Sequence, residues 1–584
     1  MRMKNALAYA TLAILSAVVY SSILPYPFVF DDGMYIAGNA GIRDFSGFWP
    51  PVGTRYFGYL SFALSYSMGG LDPRGYHAVN ILIHIVNSML VFRLVSLTFK
   101  TPFMELSGLN DKESAAFGAA LIASVLFAIH PVQTQAVTYT TQRFASLATL
   151  FFLLSLVLYA SHRIGAEGGR KGYVKYALAF ASAIAAQMTK EIAFTLPTVI
   201  VLYEAAFFGG GFRKRAVSTA PFMLTMLIIP FTLLVYAGPD HGVSELIREK
   251  QIQELSDLSP YQYLSTQFRV VVTYLRLVIL PVGQNLDYDY PKFTSVLEPG
   301  PLLSLFFLLC FAAVAVVAYA RTRMGRAPLA ALSAAGVFWF FITLSIESSV
   351  IPIQDVIFEH RLYLPSIGLF VSFGAFMICL FEYLKKRSLV KASATVFAIV
   401  VAIILAIPYG AAAYRRNLVW QDEFTLWTDV ARKSPGKTRP HNNLGDVYFR
   451  MGRYGEAIEE FEKARGLKPD VKTFFNLGSA YYKVGRYEEA EAELKTAIGL
   501  KPDFADAHYN LASTLRALGR MDEAVSELEK TVTFQPDKWR ARYNLALAYQ
   551  SMGRLSDAKR EFEAVISINP GFQEAYQGIE EVGR

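Results

Sequence analysis

Two adjacent carboxylates, Asp31 and Asp32, follow the first apolar segment of this 584-residue chain. Carboxylates at a membrane surface can act as a general base on a hydroxyl group or can bind a cation. The alternative is a solvated entrance to a loop, with no chemical role. The residue types favour a chemical role, and they do not decide between a general base and a cation-binding pair.

Cationic and polar side chains recur in the segments between later apolar runs. Arginine is the planar donor that best matches phosphate oxygens, so these segments are candidates for binding a phosphate group. The adjacent Lys190 and Glu191 could instead neutralise each other, and Arg361 could pair only with Glu359. In chain order the candidates are Arg55, His130, Lys190, Glu191, Arg269, Arg276 and Arg361.

A stripe of polar residues lies inside the second apolar run. His77, Asn80, His84 and Asn87 are spaced by three and four residues and therefore share one helical face. Such a stripe is costly inside a membrane unless it faces protein or a water-filled cavity. Hydrogen bonding between helices is the alternative to a functional role.

Several classes of function find no support in the sequence. The net charge is +8, but Lys and Arg in cytoplasmic loops account for such a balance in a membrane protein, so we predict no nucleic-acid partner. The two cysteines, Cys310 and Cys379, lie in apolar runs and match neither a disulfide framework nor a zinc motif. No glycine-rich nucleotide loop or nucleophilic-serine motif occurs. We predict no cofactor and no metal site, and a divalent cation has no support.

The apolar runs predict the elements that position these residues. They occupy the first 412 residues, and the runs predict an all-α polytopic domain over 1–415 with about eleven membrane spans. The segment 263–281 carries two arginines on one helical face, so we expect it to lie at the outer interface or to re-enter the membrane. The predicted spans are 5–24, 76–98, 114–131, 143–160, 173–189, 193–208, 217–237, 298–320, 328–346, 362–384 and 392–412.

Charge predicts the orientation of these spans. A cytoplasmic N-terminus places Lys100, Lys112 and the basic runs 213–215 and 385–387 in cytoplasmic loops, and the short outer loops are nearly free of Lys and Arg. The C-terminus is then outside, on the same side as Asp31. The first apolar run is about 20 residues, long for a signal peptide, and no small-residue cleavage site follows, so we expect a retained span.

A repeat of 34 residues follows Trp420, with one copy of 33. Asn-Leu-Gly or Asn-Leu-Ala recurs at Asn443, Asn476, Asn510 and Asn544. Glycine, a small residue and a proline recur at the same period, which is the tetratricopeptide pattern of paired helices. We therefore predict an α-solenoid over 416–584, with four repeats, a leading helix at 421–435 and a cap at 571–584. Its concave face is suited to binding a protein or peptide, although a passive spacer is the alternative.

The order of these motifs resembles a known family. Asp31-Asp32 resembles the acidic pair of the C-type glycosyltransferase superfamily. Together with His130-Pro131-Val-Gln-Thr-Gln-Ala-Val137, Lys190-Glu191, Glu359-His-Arg-Leu-Tyr-Leu-Pro-Ser366 and the repeats, it resembles the transmembrane and tetratricopeptide repeat-containing family of protein O-mannosyltransferases, in its prokaryotic form. The resemblance covers nearly the whole chain.

The resemblance implies transfer of a sugar from a polyprenyl-phosphate carrier to a protein hydroxyl outside the cytoplasm. Asp31, and after it Asp32, are then the candidate general bases. Arg361 is the first candidate for the carrier phosphate, followed by Arg269 and Arg276. His130 and Glu191 would orient the sugar or acceptor, and Lys190 and Arg55 belong to the same set of candidate binding residues. The partners would be the lipid carrier and an acceptor held by the repeats.

Two other classes of function remain open on the sequence. One is a non-catalytic membrane scaffold whose repeats recruit partners for envelope or pilus assembly. The other is a transporter of lipid-linked saccharides, which inverted internal repeats would favour. No such internal symmetry is visible, and an anchor has no need of ionisable residues gathered in outer loops. We predict a multi-pass protein of a bacterial inner membrane with periplasmic repeats.

Overall fold

The computed structural model describes residues 2–49, 51, 53, 55–105, 109, 111–169, 172–236, 258–322 and 328–583. The chain divides into two compact units, Met1–Asp422 and Glu423–Arg584. The division lies seven residues beyond the predicted boundary at 415/416, because the last helix of the first unit continues to Leu418. Each unit is described separately.

The first unit is helical throughout its described elements. Helices of nine or more residues are numbered here, and short helical turns are left unnumbered. They are α1 (Arg2–Tyr20), α2 (Tyr56–Gly69), α3 (Pro73–Thr98), α4 (Lys112–Ile129), α5 (Arg143–Glu167), α6 (Tyr173–Gln187), α7 (Leu196–Phe207), α8 (Phe212–Leu224), α9 (Ile228–Tyr236), α10 (Pro260–Ile279), α11 (Pro299–Thr322), α12 (Pro328–Leu344), α13 (Pro365–Lys386) and α14 (Ala394–Leu418).

Every predicted span coincides with helix. Within the described residues, eight helical segments are long and apolar enough to cross a membrane. They are Met3–Ile23, Pro73–Thr98, Lys112–Ile129, Thr140–Glu167, Phe212–Thr232, Pro299–Arg321, Pro365–Lys386 and Ala394–Leu418. Helices α6, α7 and α12 are shorter, at 15, 12 and 17 residues. Helix α10 is not among the eight, and the last position of predicted span 217–237 lies outside the described residues.

Small residues bring the helices of the first unit together. A Cβ atom added to Gly336 on α12 would lie 2.2 Å from the carbonyl oxygen of Gly368 on α13. A Cβ on Gly374 of α13 would lie 2.7 Å from the carbonyl oxygen of Ala119 on α4. Close backbone approach of this kind is how helices associate in lipid, where apolar burial alone provides little driving force. Apolar side chains are exposed along α1, α11 and α14, as is typical of helices that face lipid.

The second unit consists of paired helices in the predicted order. A leading helix, α15 (Glu423–Lys433), precedes four pairs, and α24 (Gln573–Val582) follows them. Gly452, Gly485, Gly519 and Gly553 end the first helix of each pair in the left-handed backbone region, where glycine is favoured. The pairs are α16 (Thr438–Arg450) with α17 (Tyr454–Leu467), α18 (Val471–Lys483) with α19 (Tyr487–Leu500), α20 (Ala505–Ala517) with α21 (Met521–Phe534), and α22 (Trp539–Ser551) with α23 (Leu555–Ile568).

Candidate active site

Asp32 connects the loop after α1 to the loop that precedes α5. Its carboxylate is buried, and one oxygen accepts hydrogen bonds from the backbone N–H of Thr141, at 2.7 Å, and from the Thr141 hydroxyl. The other oxygen accepts from the N–H of Val29 at 3.3 Å. Burial raises the pKa of Asp32 to about 6, and these hydrogen bonds keep it from rising further. The hydrogen bonds of Asp32 therefore fix the position of the backbone at the neighbouring Asp31.

Asp31 is the more accessible of the two carboxylates. It is half-buried, and it acts electrostatically on the phenol of Tyr139. Burial, together with the charges of Asp31 and Asp32, raises the pKa of Tyr139 well above its usual value, so this phenol stays protonated and can donate a hydrogen bond. The Tyr139 ring stacks on Trp420, with centroids 5.5 Å apart.

The backbone immediately before Asp31 is strained. Phe30 has a φ of 54°, in the left-handed region that residues other than glycine rarely adopt. Strain of this kind persists only where the surrounding structure imposes it, and it concentrates at functional sites. The Asp32 hydrogen bonds and the contact between the Phe30 and Tyr139 rings, at 5.9 Å, impose it here.

Glu359 forms the centre of a second polar cluster. Its buried carboxylate accepts hydrogen bonds from the Gln284 amide at 2.7 Å, from the Asn285 N–H at 2.6 Å and from the Tyr288 hydroxyl at 2.6 Å. Arg361 instead donates to the carbonyl oxygens of Asp355, at 2.9 Å, and Val356, at 3.3 Å. The hydrogen bonds of Glu359 and Arg361 therefore go to different partners, not to each other.

Lys190 and Glu191 also pair with different residues. The Lys190 ammonium lies 3.2 Å from the Glu347 carboxylate, and the Glu191 carboxylate lies 3.7 Å from the Arg55 guanidinium. The first pair is nearly buried and the second is about one third exposed. The sequence left open that Lys190 and Glu191 neutralise each other. The structure instead pairs each of them with another residue.

The charges of Lys190 and Arg361 both act on the imidazole of His360. Burial and the charges of these two residues lower the pKa of His360 well below its usual value, so its imidazole stays neutral. The backbone N–H of His360 donates to the Gln135 side chain at 2.7 Å. Two cations and a neutral histidine therefore share one buried neighbourhood.

The loop 130–142, between α4 and α5, joins the two clusters. At one end, Thr141 binds Asp32. At the other end, Gln135 accepts from His360, and the Pro131 carbonyl accepts from Gln284 at 3.0 Å. Thr138, between them, donates to Asn417 at 2.7 Å. The acidic pair and the Glu359–Arg361 turn are thus positioned by the same short loop.

His130 has both ring nitrogens engaged with protein. Its Nε2 lies 2.9 Å from the Val278 carbonyl oxygen on α10, and its Nδ1 accepts from the Val132 N–H at 3.2 Å. The ring also packs on Tyr409 and Phe370. Burial lowers the pKa of His130 to about 3 and keeps it neutral. In this structure His130 ties the loop to α10.

Arg269 and Arg276 lie on an exposed face of α10, whereas Arg361 is buried. Both are exposed, and Arg276 donates to the Val282 carbonyl oxygen at 2.9 Å. The buried face of α10 bears Tyr263, Gln267 and Tyr274, which bind the backbone of Glu347, Val356 and Phe358. Helix α10 thus supports the segment before Arg361 with one face and presents its two arginines on the other.

The polar stripe of α3 is occupied by interhelical hydrogen bonds. His84 contacts the Ala128 carbonyl oxygen at 3.0 Å and the Tyr363 hydroxyl at 2.8 Å, and Asn87 donates to the Ser146 carbonyl oxygen at 2.9 Å. His77 and Asn80 bind the backbone carbonyl oxygens of Tyr26 and Val137 in the loops. The stripe is therefore structural, which agrees with the alternative that hydrogen bonding between helices explains it.

Four residues of the site were not among the sequence candidates. They are Glu359, Tyr139, Arg143 and Arg416. Arg143 is fully buried and donates to the Asn80 side chain and to the Ser61 and Tyr76 carbonyl oxygens. Arg416, at the end of α14, interacts electrostatically with the phenol of Tyr288. Its signal in the sequence is the pair Arg415-Arg416 at the end of a span that the charge pattern predicts to be outside, where basic residues are otherwise scarce.

Fold and site together define a multi-pass helical membrane protein with a polar site in its loops and a tetratricopeptide-repeat unit. Three family models, each described as tetratricopeptide repeat, match residues 438–502, 475–538 and 540–572. The repeat pattern predicted from the sequence is confirmed.

The chain is similar to protein O-mannosyl-transferases. It is 25% identical over 534 residues to Tmtc3 of Drosophila melanogaster, covering 80% of this chain and 56% of that one. It is 26% identical to F38B6.6 of Caenorhabditis elegans, covering 78% and 62%, and 24% identical to TMTC3 of Homo sapiens, covering 70% and 44%. The chain thus spans about half the length of these relatives. The family resemblance seen in the motifs is confirmed.

Solved structures similar to this chain match a smaller part of it. A crystal structure of MamA is 26% identical, with 26% of this chain and 89% of that chain covered and a TM-score of 0.25. A crystal structure of YrrB, described as a tetratricopeptide-repeat protein with an unusual peptide-binding site, is 20% identical, with 34% and 97% covered and a TM-score of 0.25.

Proposed function

We propose that this protein is an integral-membrane glycosyltransferase that moves a sugar, mannose first among the candidates, from a polyprenyl-phosphate carrier to a protein hydroxyl on the non-cytoplasmic side. The observation that carries the proposal is the loop 130–142, which holds the Asp31-Asp32 turn at one end and the Glu359–Arg361 turn at the other. Similarity to proteins named O-mannosyl-transferases supports the reaction type.

Asp31 is the proposed general base. It removes the proton from the acceptor hydroxyl while the hydroxyl oxygen attacks the anomeric carbon. Asp32 is the positioning residue, because its oxygens are occupied by Thr141 and Val29. Tyr139, held in its protonated form, is available to donate a hydrogen bond beside the base.

The proposed leaving group is the lipid phosphate. The bond between the anomeric carbon and the phosphate oxygen breaks, and the phosphate leaves as an anion that cations stabilise. Arg361 and Lys190, which share the neighbourhood of His360, are the proposed cations. Arg269 and Arg276 are exposed on α10, where they would meet lipid headgroups instead of the buried site.

The proposed orientation follows from helix direction. Asp31 follows the C-terminal end of α1, and Asn417 at the C-terminal end of α14 donates to the Val19 carbonyl oxygen of α1 at 2.9 Å, so both lie at the same membrane face. The opposite ends carry Lys100, Lys112 and Lys385, which the positive-inside rule places in the cytoplasm. Because the chain leaves the first unit beside Thr138, we propose that the repeats recruit an acceptor protein on the outer side of a bacterial inner membrane.

Mass spectrometry of envelope proteins tests the proposal. A deletion strain should lack a set of sugar-modified Ser and Thr peptides, and the wild-type gene should restore them. Asp31→Asn should not restore them, whereas Asp44→Asn, an exposed carboxylate of the same outer loop, should. Full restoration by Asp31→Asn would remove the assignment of the base, and an unchanged set of peptides in the deletion strain would favour a scaffold or a transporter.

A further inference from the structure

A cavity of about 300 Å³ lies at the membrane face opposite Asp31. It is lined by the N-terminal end of α1, the C-terminal end of α3 and the N-terminal end of α4. Asp31 follows the other end of α1, and Tyr76 and His130 mark the other ends of α3 and α4. The cavity therefore lies at the far membrane surface and belongs to neither polar cluster of the candidate active site.

Four cations line this cavity. They are Lys4 on α1, Arg93 on α3, Lys100 just beyond α3, and Lys112 on α4. Two carboxylates, Glu105 and Glu113, also line it, which leaves a formal excess of two positive charges. Arg93 is half-buried and stands five residues before the end of α3, about 8 Å inside it along the helix axis. The volume is at the lower end of the range for small-molecule sites.

These cations are not neutralised by close ion pairs. In the part of the chain that the structure describes, none of the four comes within 4.0 Å of a carboxylate. A half-buried guanidinium at headgroup depth is costly unless it meets an anion. The geometry is therefore suited to an anion that enters from the membrane surface.

Apolar surface next to the cavity indicates where that anion comes from. Leu7, one helical turn beyond Lys4, is 70% exposed, and Met3 beside it is 85% exposed. This part of α1 can hold an acyl chain while the cavity holds the attached headgroup. Basic recesses between membrane helices bind anionic lipid headgroups in this way.

We propose that this cavity binds the phosphate headgroup of an anionic membrane lipid, with Arg93 and Lys112 as its principal donors. The site is distinct from the proposed sugar-transfer site and does not depend on it. An anionic lipid bound here would stabilise the packing of α1 against α3 and α4. The alternative is that the four cations are solvated flanks of the membrane helices, with no bound lipid.

Thermal unfolding of the full-length protein in phosphatidylcholine nanodiscs tests this proposal. Added phosphatidylglycerol should raise the Tm by a few degrees, and native mass spectrometry should show retained phosphatidylglycerol. The double variant Arg93→Gln with Lys112→Gln should weaken this binding by about tenfold or more. Inorganic phosphate and glycerol phosphate should protect far less than the lipid.

The matched control is Lys385→Gln with Lys386→Gln, two exposed cations of the same membrane face that do not line the cavity. This control should bind phosphatidylglycerol as the wild type does. If the double variant Arg93→Gln with Lys112→Gln folds poorly, Arg93→Lys takes its place, and it should retain most of the phosphatidylglycerol binding. Equal binding by the cavity variant and the wild type would overturn the site. Equal protection by glycerol phosphate would overturn the assignment to a lipid.

Discussion

Asp31 and Asp32 are neighbours in the chain, but their carboxylates lie in different surroundings. The oxygens of Asp32 are buried and occupied by backbone and hydroxyl donors, whereas Asp31 is half-buried. The sequence predicted that the pair follows the first span but could not separate the two roles. The difference depends on Thr141, which is 109 residues away in the chain, and one sequence carries no signal for that contact.

The stability of the protein should depend on pH through Asp32. Its folded pKa, about 6, is above the value of about 4 expected for an unfolded Asp, so its stabilising contribution is complete below about pH 4. That contribution is lost as the pH rises through about 6, because the buried carboxylate must then ionise. The Tm of the wild type minus the Tm of Asp32→Asn should decrease as the pH rises from about 4 to about 6. Calorimetry on the two purified proteins measures this difference. Parallel pH profiles for the two proteins would contradict this assignment.

Glu359 and Arg361 should be only weakly coupled in stability. Each has its own hydrogen-bond partners, so the coupling between Glu359→Gln and Arg361→Gln should lie at the low end of the range for neighbouring residues, below about 1 kcal/mol. A double-mutant cycle on the free energy of unfolding measures this coupling. A direct ion pair between the two residues would instead give a coupling larger than this limit. The cycle therefore separates the two arrangements that were open on the sequence.

At the scale of elements, periodic patterns were the most informative part of the sequence. The 34-residue period predicted every helix pair of the repeats, and the apolar runs predicted a helix at each proposed span. Helix α2 was not predicted, because its apolar stretch is too short to span a membrane. The outward position of Arg269 and Arg276 was also missed, since it depends on which face of α10 packs against the Val356 segment.

The repeats contain a bridge that recurs at a fixed spacing. His441 contacts the Pro435 carbonyl oxygen at 3.1 Å and Glu460 at 2.7 Å. Arg542 occupies the equivalent position in the fourth repeat and binds the Pro536 carbonyl oxygen and Glu561, both at 2.7 Å. One position therefore carries a titratable cation in one repeat and a permanent cation in another.

Local stability of the first repeat should fall as pH rises. The hydrogen bond to Glu460 raises the pKa of His441, so the bridge is complete below the unfolded histidine value, near 6.5, and is lost as the pH rises through the higher folded value. Hydrogen exchange of α16 and α17 should accelerate over this range beyond its intrinsic pH dependence. His441→Arg should remove the extra acceleration, because Arg542 makes the same bridge without titrating. Extra acceleration that persists in His441→Arg would point to another group.

At the scale of the whole molecule, the proposed orientation rests on charge and helix direction. Lys559 is exposed on the repeats, and Lys386 is exposed at the far end of α13. With Cys310 and Cys379 replaced by serine, Lys559→Cys should react with a membrane-impermeant maleimide in intact spheroplasts. Lys386→Cys should react only after the membrane is opened. The reverse labelling pattern would place the repeats in the cytoplasm and remove their proposed role in holding an acceptor.

Direct transfer by the purified protein tests the proposed sugar-transfer reaction. The full-length protein in nanodiscs is supplied with radiolabelled mannosyl-phosphoryl-polyprenol and a membrane fraction from the deletion strain as acceptor, and label in the protein fraction is measured. We expect label with the wild type and with Asp44→Asn. With Asp31→Asn we expect at least about a 10²-fold loss at an unchanged Tm, because a general base contributes rate enhancement of that order. Transfer by Asp31→Asn at the wild-type rate would contradict the account.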